Sequence, residues 1–179
     1  MLRPERSFTN ALLVEQPNTD FAYITVRQFL FDAYQVELWS ALVRSDDDRL
    51  AGIAAKGLKE ATYHLRRSAT WVVRLGDGTA ESHRRTQGAI DGLWRYTDEL
   101  FATDALEESL AAEGLVPRSA DLRQGWDAAV DRTFEEATVT RSADDFQTSG
   151  GRTGMHTEYL GRLLAEMQWM QRSYPGLSW

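Results

Sequence analysis

The chain contains no cysteine, and this absence excludes several kinds of chemistry at once. It can form no disulfide, no thiolate metal site and no cysteine nucleophile. The sequence also lacks any apolar run close to the ~20 residues that a membrane span requires. No charged and then apolar segment precedes a cleavage site, as it would in a secretory signal. These absences predict a cytoplasmic protein.

Positive charge is in short supply. The 20 Lys and Arg residues against 27 Asp and Glu residues give a formal net charge of −7, with a pI near 5.0. Nucleic acids and anionic membranes both favour a basic surface, so neither is the expected partner. With 179 residues, of which 42% are hydrophobic, the chain is long enough for one domain with a real core. We predict a single domain over residues 1–179.

Histidine is rare, and its spacing excludes the usual helical iron site. A carboxylate-bridged di-metal site in a helical bundle uses Glu-x-x-His, because residues three apart lie on one side of a helix. The three histidines are His64, His83 and His156. The residues three positions before them are Ala61, Ala80 and Thr153. A serine hydrolase motif of the Gly-x-Ser-x-Gly type is missing too.

The stretch from Lys59 to His64 comes closest to an iron-binding helix. Its sequence is Lys-Glu-Ala-Thr-Tyr-His, so Ala61 occupies the place of the ligating glutamate. Glu60 lies about 100° around the helix from that place. Two alternatives remain for His64. It is either a catalytic group or a core histidine whose ring is satisfied by a carboxylate, for which Asp32, Glu37 and Glu60 are the candidates.

Almost the whole sequence has the pattern of amphipathic helices, and no segment alternates with the period of a strand. Residues 1–19 are predicted to be irregular, and residues 139–156 form a polar, glycine-rich loop before the C-terminal helix. Small residues on the second helix predict a close crossing with a neighbour. Helices are predicted over about 20–44, 46–75, 79–102, 104–113, 119–138 and 160–174, with Ser119 and Thr157 as caps of the last two.

Arginine pairs and tryptophans suggest two further surfaces. The pairs Arg66-Arg67 and Arg84-Arg85 could bind the phosphates of a CoA-type ligand, although such pairs are commonly solvated helix faces. Aromatic anchors are enriched at protein interfaces. Trp169 and Trp179, on or beyond the last helix, are therefore candidates for a partner surface. The tryptophans expected in the core are Trp39, Trp71, Trp94 and Trp126.

Several stretches together resemble a known family. They are residues 15–21, 32–34, 59–64 and 93–101, and most specifically Gly154-Met155-His156-Thr157-Glu158, followed by 164–168 and Pro175-Gly176. Over essentially the whole chain they are similar to the C-type, non-catalytic subunit of the bacterial ring 1,2-phenylacetyl-CoA epoxidase, a multicomponent monooxygenase.

The resemblance implies an all-α, ferritin-like bundle that pairs with a catalytic di-iron subunit and stabilises it. Iron would then reside in that partner, and flavin, an iron–sulfur cluster and NADPH in the reductase. This chain would bind no cofactor, nucleic acid or membrane. Its vestigial di-iron position would comprise Asp32, Glu60, Ala61 and His64. The candidate residues for the interface with the partner are Trp169, Trp179, His156 and Glu158.

The sequence departs from the family at its start. Members carry an N-terminal helical hairpin ahead of the equivalent of Arg3, and we expect its lack to reflect a truncation or a start codon placed too far downstream. Apolar faces around Phe31, Leu38, Leu58 and Leu65 would then be exposed, and the isolated chain would be marginally stable.

Two other functions stay open at this point. The chain could be an active ferritin-like oxygenase with atypical ligands, or a helical adaptor outside any oxygenase. The pool of atypical ligands would be Asp32, Glu37, Glu60, His64, Glu135 and Glu136.

Overall fold

The structure is a computed structural model that describes residues 3–176. Over this range it contains α-helices and short 3-10 turns and no strand, so the all-α prediction is confirmed. Apart from two 3-10 turns the first residues are irregular, as predicted. The α-helices are α1 (Phe21–Leu42), α2 (Asp48–Gly76), α3 (Ala80–Leu93), α4 (Ala105–Ala112), α5 (Arg123–Glu136) and α6 (Glu158–Ser173). No helix in the described part is long and apolar enough to cross a membrane.

The two longest helices begin where the acidic caps predict. The Asp20 carboxylate accepts a hydrogen bond from the backbone N–H of Tyr23 at 2.9 Å. Asp47 accepts from the N–H groups of Arg49 and Leu50 at 2.8 and 2.9 Å. Each cap satisfies N–H groups that have no partner inside the helix. At its far end α2 stops at Gly76, where an added methyl group would overlap the backbone of Ala137.

The predicted third helix is shorter than expected. It ends at Leu93, and two 3-10 turns, Trp94–Tyr96 and Asp98–Phe101, replace its second half. The Thr97 hydroxyl donates to the carbonyl of Trp94 at 2.8 Å, a local bond that competes with helix continuation. Ser119 lies inside a 3-10 turn rather than capping α5, and the Thr157 side chain makes no capping bond to α6. Both cap predictions were wrong.

The core lies between α1, α3, α5 and the turns after α3. Trp126 is fully buried and Trp94 nearly so, whereas Trp39 and Trp71 are only half-buried. The Trp126 indole N–H donates to the carbonyl of Leu30 at 2.9 Å and thereby connects α5 to α1. Other fully buried side chains in this core are Leu13, Val26, Phe29, Ile90, Leu93 and Val130.

Helices α1 and α2 form the most extensive pair, as the small residues of α2 predict. Ala54 and Ala61 are buried against the body. At Gly57 a β-carbon would lie only 3.0 Å from the ring of Trp39, so glycine allows the two helices to approach there. The apolar residues expected at an exposed face, Phe31, Leu38, Leu58 and Leu65, are half-buried. Beyond its buried stripe, most of α2 faces solvent.

Candidate functional site

A polar groove of about 430 Å³ lies between α1 and α2, at the position of the vestigial metal site. Asp32 forms its floor and is only 2% exposed. One carboxylate oxygen accepts from the Gln28 amide at 2.6 Å, and the other accepts from the Ser68 hydroxyl at 2.8 Å. Both oxygens of Asp32 are therefore engaged by neutral donors from the two helices. His64 and Arg67 line the same groove.

Burial dominates the electrostatics of this carboxyl group and raises the pKa of Asp32 above its ordinary value. The hydrogen bonds from Gln28 and Ser68 oppose the rise, and so do the nearby charges of His64 and Arg67. The arrangement suits a structural polar contact across a helix pair. A metal ligand of a di-iron pair would need further carboxylates facing the same space.

Those further carboxylates are elsewhere. Ala61 is buried, whereas Glu60 is exposed and does not line the groove. Glu37 lies against Gly125 of α5, and Glu135 and Glu136 are exposed. No three His, Asp or Glu side chains within residues 3–176 come together as a metal ion would require. The residues of the predicted pool therefore do not fit a di-iron centre in this chain.

The prediction that His64 is a core histidine was wrong. Its side chain is exposed on α2, and the structure gives its ring no hydrogen-bond partner among the described residues. Ser68, one turn later, bonds Asp32 instead. Helical spacing places residues 61 and 68 on the buried stripe, while residue 64 lies at its edge.

A second site, which we call the clasp, joins the irregular N-terminal segment to the start of α6. It consists of Asn10, Glu15, His156 and Thr157. One oxygen of Glu15 lies 2.5 Å from Nδ1 of His156 and also accepts from Asn10 at 3.0 Å. The other accepts from the Thr157 N–H at 2.9 Å and its hydroxyl at 2.7 Å. The side chains of Glu15 and His156 are both 0% exposed.

A second buried carboxylate continues the clasp on the side of the polar loop. Glu99 is 3% exposed. It accepts from the N–H groups of Leu12 and Gly150 at 2.7 and 2.8 Å. A longer bond of 3.3 Å comes from the N–H of Arg152. Because these N–H groups lie in irregular backbone, the carboxylate supplies partners that a helix or strand would otherwise provide. Residues 139–156 are thus a loop, as predicted, with an anchored end.

The outer surface of α6 is apolar. The helix packs on the N-terminal segment and encloses with it a groove of about 450 Å³. Trp169 is 60% exposed, and its ring lies 6.1 Å from that of Tyr174. Glu158 pairs with Arg162 at 2.6 Å on the surface. The groove is lined mainly by Phe8, Val14, Leu160, Leu163, Leu164 and Met167.

Comparison with known proteins agrees with the resemblance. The family model described as "Phenylacetic acid catabolic protein" matches residues 1–179. The chain belongs to this family. It is 47% identical over 177 residues to the C-type subunit of the 1,2-phenylacetyl-CoA epoxidase of Escherichia coli (strain K12). The match covers 99% of this chain and 71% of that relative. The predicted recognition is confirmed.

Two of the stretches that carry this family resemblance form the clasp. Glu15 comes from the first of them and His156 from the most specific one, and the fold brings them together over 141 positions. His156 was a predicted interface residue, but its ring is enclosed and cannot reach a partner. Trp169 and Glu158 present their side chains to solvent, and Trp179 lies outside the described residues. The sequence offered a signal for the clasp only in the pairing of two distant polar motifs.

We expect the clasp to make stability depend on pH near neutrality. Burial lowers the pKa of His156, but the hydrogen bonds to Glu15 and the Phe8 carbonyl, with the charge of Glu15, raise it above its ordinary value. The folded state therefore holds the proton more tightly than the unfolded state, whose histidine pKa is about 6.5. This stabilisation is complete below about pH 6.5 and is lost as the pH rises through the folded pKa.

Urea unfolding at a series of pH values from 6 to 9 measures this effect. The free energy of unfolding of the natural chain should fall across the window, and the fall should be smaller in His156→Gln. A variant whose profile matches that of the natural chain would show that His156 does not carry the dependence.

Proposed function

We propose that the chain is a structural, non-catalytic subunit of a multicomponent 1,2-phenylacetyl-CoA epoxidase in phenylacetate catabolism. The observation that carries the proposal is the α1–α2 groove. Asp32 is bound there by Gln28 and Ser68, and no second carboxylate faces it. Ala61 offers only a methyl group where a ligand would be required. The name of the Escherichia coli relative, which is the C-type subunit of such an epoxidase, supports the same role.

The role needs partners, and the surface of α6 supports their presence. Leu163, Met167 and Met170 are 46%, 59% and 43% exposed on this helix, beside Trp169. Methionine and tryptophan are enriched at protein interfaces, where they supply large contact areas. We propose that the partners are the catalytic di-iron subunit and the other epoxidase subunits. Iron, flavin, the iron–sulfur cluster and NADPH would be held by those proteins.

Within the complex the chain would act by binding and ordering its catalytic partner. Obligate interfaces of this kind typically bury about 2,000 Å² or more. A rigid helical surface can fix the orientation of helices that carry metal ligands in the partner. The bonds of Asp32 between α1 and α2, and the clasp under α6, would keep that surface in one shape.

Iron analysis and co-expression test this function together. The purified chain should contain far less than one iron per molecule and should not epoxidise phenylacetyl-CoA. Co-expressed with the catalytic subunit, it should purify with that subunit in one complex and raise the yield of active enzyme. Near-stoichiometric iron with an oxo-bridge absorption band in the isolated chain would contradict the proposal and favour an active oxygenase. Failure to co-purify would favour a separate adaptor.

A further inference from the structure

Helix α2 is strongly basic in an acidic protein. It contains six Lys and Arg residues but only two acidic ones, Asp48 and Glu60, giving the helix a net charge of +4. The whole chain has a net charge of −7. Both lysines of the sequence, Lys56 and Lys59, lie on this helix. The positive charge of the molecule is therefore concentrated on α2, while the rest of the chain is acidic.

The six cations lie on one face of the helix. They form three pairs separated by seven residues, so each pair is nearly in line along the axis. At 100° per residue all six fall within a sector of about 100°, opposite the buried stripe of Ala54, Ala61 and Ser68. We call this sector the basic face. Its pairs are Arg49 with Lys56, Lys59 with Arg66, and Arg67 with Arg74.

The chain itself provides no counter-charge for the basic face. None of its six residues forms a salt bridge within residues 3–176, although Arg123, Arg141 and Arg152 each pair with two carboxylates. The guanidinium groups of Arg66 and Arg74 lie over neighbouring aromatic rings at 5.9 and 5.4 Å. Like charges along one helix face repel one another, so this face stabilises the fold little by itself.

We propose that the basic face of α2 binds an acidic helix of a partner protein subunit. A helix fits because cations seven residues apart are spaced by about 10.5 Å, the distance between residues seven apart on a parallel or antiparallel neighbour. Tyr63 lies within the basic face and Ile53 beside it, and they are 53% and 60% exposed. They provide the apolar contact that a charged helix pair needs at its centre.

The charge distribution argues against other occupants. The α2 helix of a second copy would bring like charges together, which costs free energy at an interface. A membrane or nucleic acid would attract the basic face but would repel the acidic remainder of the molecule. The inference rests on the proposed function, because the partner subunit is taken to be another component of the epoxidase.

Charge reversal tests the inference in the co-expressed complex. Lys59→Glu with Arg66→Glu should weaken binding of the other epoxidase subunits at least tenfold, because attraction becomes repulsion at two adjacent sites. The matched control is Arg84→Glu with Arg118→Glu, which makes the same charge change at exposed arginines on other elements. This control should change the dissociation constant less than twofold. Raising salt from 0.05 to 0.5 M should weaken the natural complex and affect the reversed variant much less.

A neutral variant guards against loss of folding. Lys59→Gln with Arg66→Gln should keep the far-ultraviolet circular dichroism of the natural chain and weaken binding several-fold. Unchanged binding in both variants, while the natural chain binds its partners, would overturn this inference alone. So would equal loss in the Arg84 and Arg118 control, or binding of the natural chain to anionic vesicles or DNA that the α2 variants abolish while subunit binding persists. A natural chain that co-purifies with no subunit would overturn the proposed function as well.

Discussion

Glu15→Ala should lower the free energy of unfolding by about 3–5 kcal/mol, the usual cost of removing one partner from a buried ion pair. The substitution leaves the His156 ring, the Thr157 N–H and hydroxyl and the Asn10 amide without their shared acceptor. These groups are enclosed, so water replaces the lost bonds poorly. Equilibrium unfolding in urea at pH 7 measures the change. It is a large fraction of the roughly 5–15 kcal/mol by which domains are typically stable.

Glu158→Ala is the matched control, because it removes a glutamate from the same region of the surface. Glu158 is 66% exposed on its side chain and pairs only with Arg162 among the described residues. Its loss should change stability by less than about 0.5 kcal/mol. Glu15→Gln retains the shape and one acceptor oxygen and should fall between the two. A cost below about 1 kcal/mol for Glu15→Ala would show that the clasp does not secure α6.

Trp126→Ala should be similarly damaging, with a loss of about 3–5 kcal/mol. The indole is fully buried, and its ring lies 5.2 Å from Phe101 and 5.7 Å from Trp94. Its removal leaves a cavity between α1 and α5 and deletes the bond to the Leu30 carbonyl. Thermal unfolding followed by circular dichroism would report the change as a lower midpoint.

Trp169→Ala makes the same chemical change on a surface that is 60% exposed. In the isolated chain it should cost less than about 1 kcal/mol, because little area leaves the interior. In the co-expressed complex the order should reverse if α6 contacts a partner, with Trp169→Ala weakening subunit binding. Equal destabilisation of the isolated chain by both variants would contradict the assignment of Trp126 to the core and Trp169 to a surface.

The helices could be predicted from sequence wherever local chemistry determines them. Asp20, Asp47 and Gly76 bound α1 and α2 because capping depends on neighbours a few positions away. The end of α3 was mispredicted because the inward turn of Trp94 depends on packing against Trp126, which is distant in sequence. Propensity yields to tertiary contacts at such points.

The candidate site divides along the same line. Ala61 could be identified as a missing ligand from spacing alone, because three positions on one helix have a fixed geometry. The role of Asp32 could be narrowed to a polar cluster, but its partner Ser68 was not foreseen. The clasp could not be foreseen either, since nothing local pairs Glu15 with His156. His156 was therefore placed on the surface, although the fold encloses it.

The clasp also bears on the order in which the chain can fold during synthesis. Glu15 emerges from the ribosome 141 positions before His156, and the carbonyl of Arg3 emerges 165 positions before Gln168, which donates to it. Contacts of such long range form late, because the intervening chain must first be ordered. Until then Leu12 and Leu13, both buried in the finished fold, have to wait in water. The N-terminal segment is therefore the part of the nascent chain most in need of protection by a chaperone.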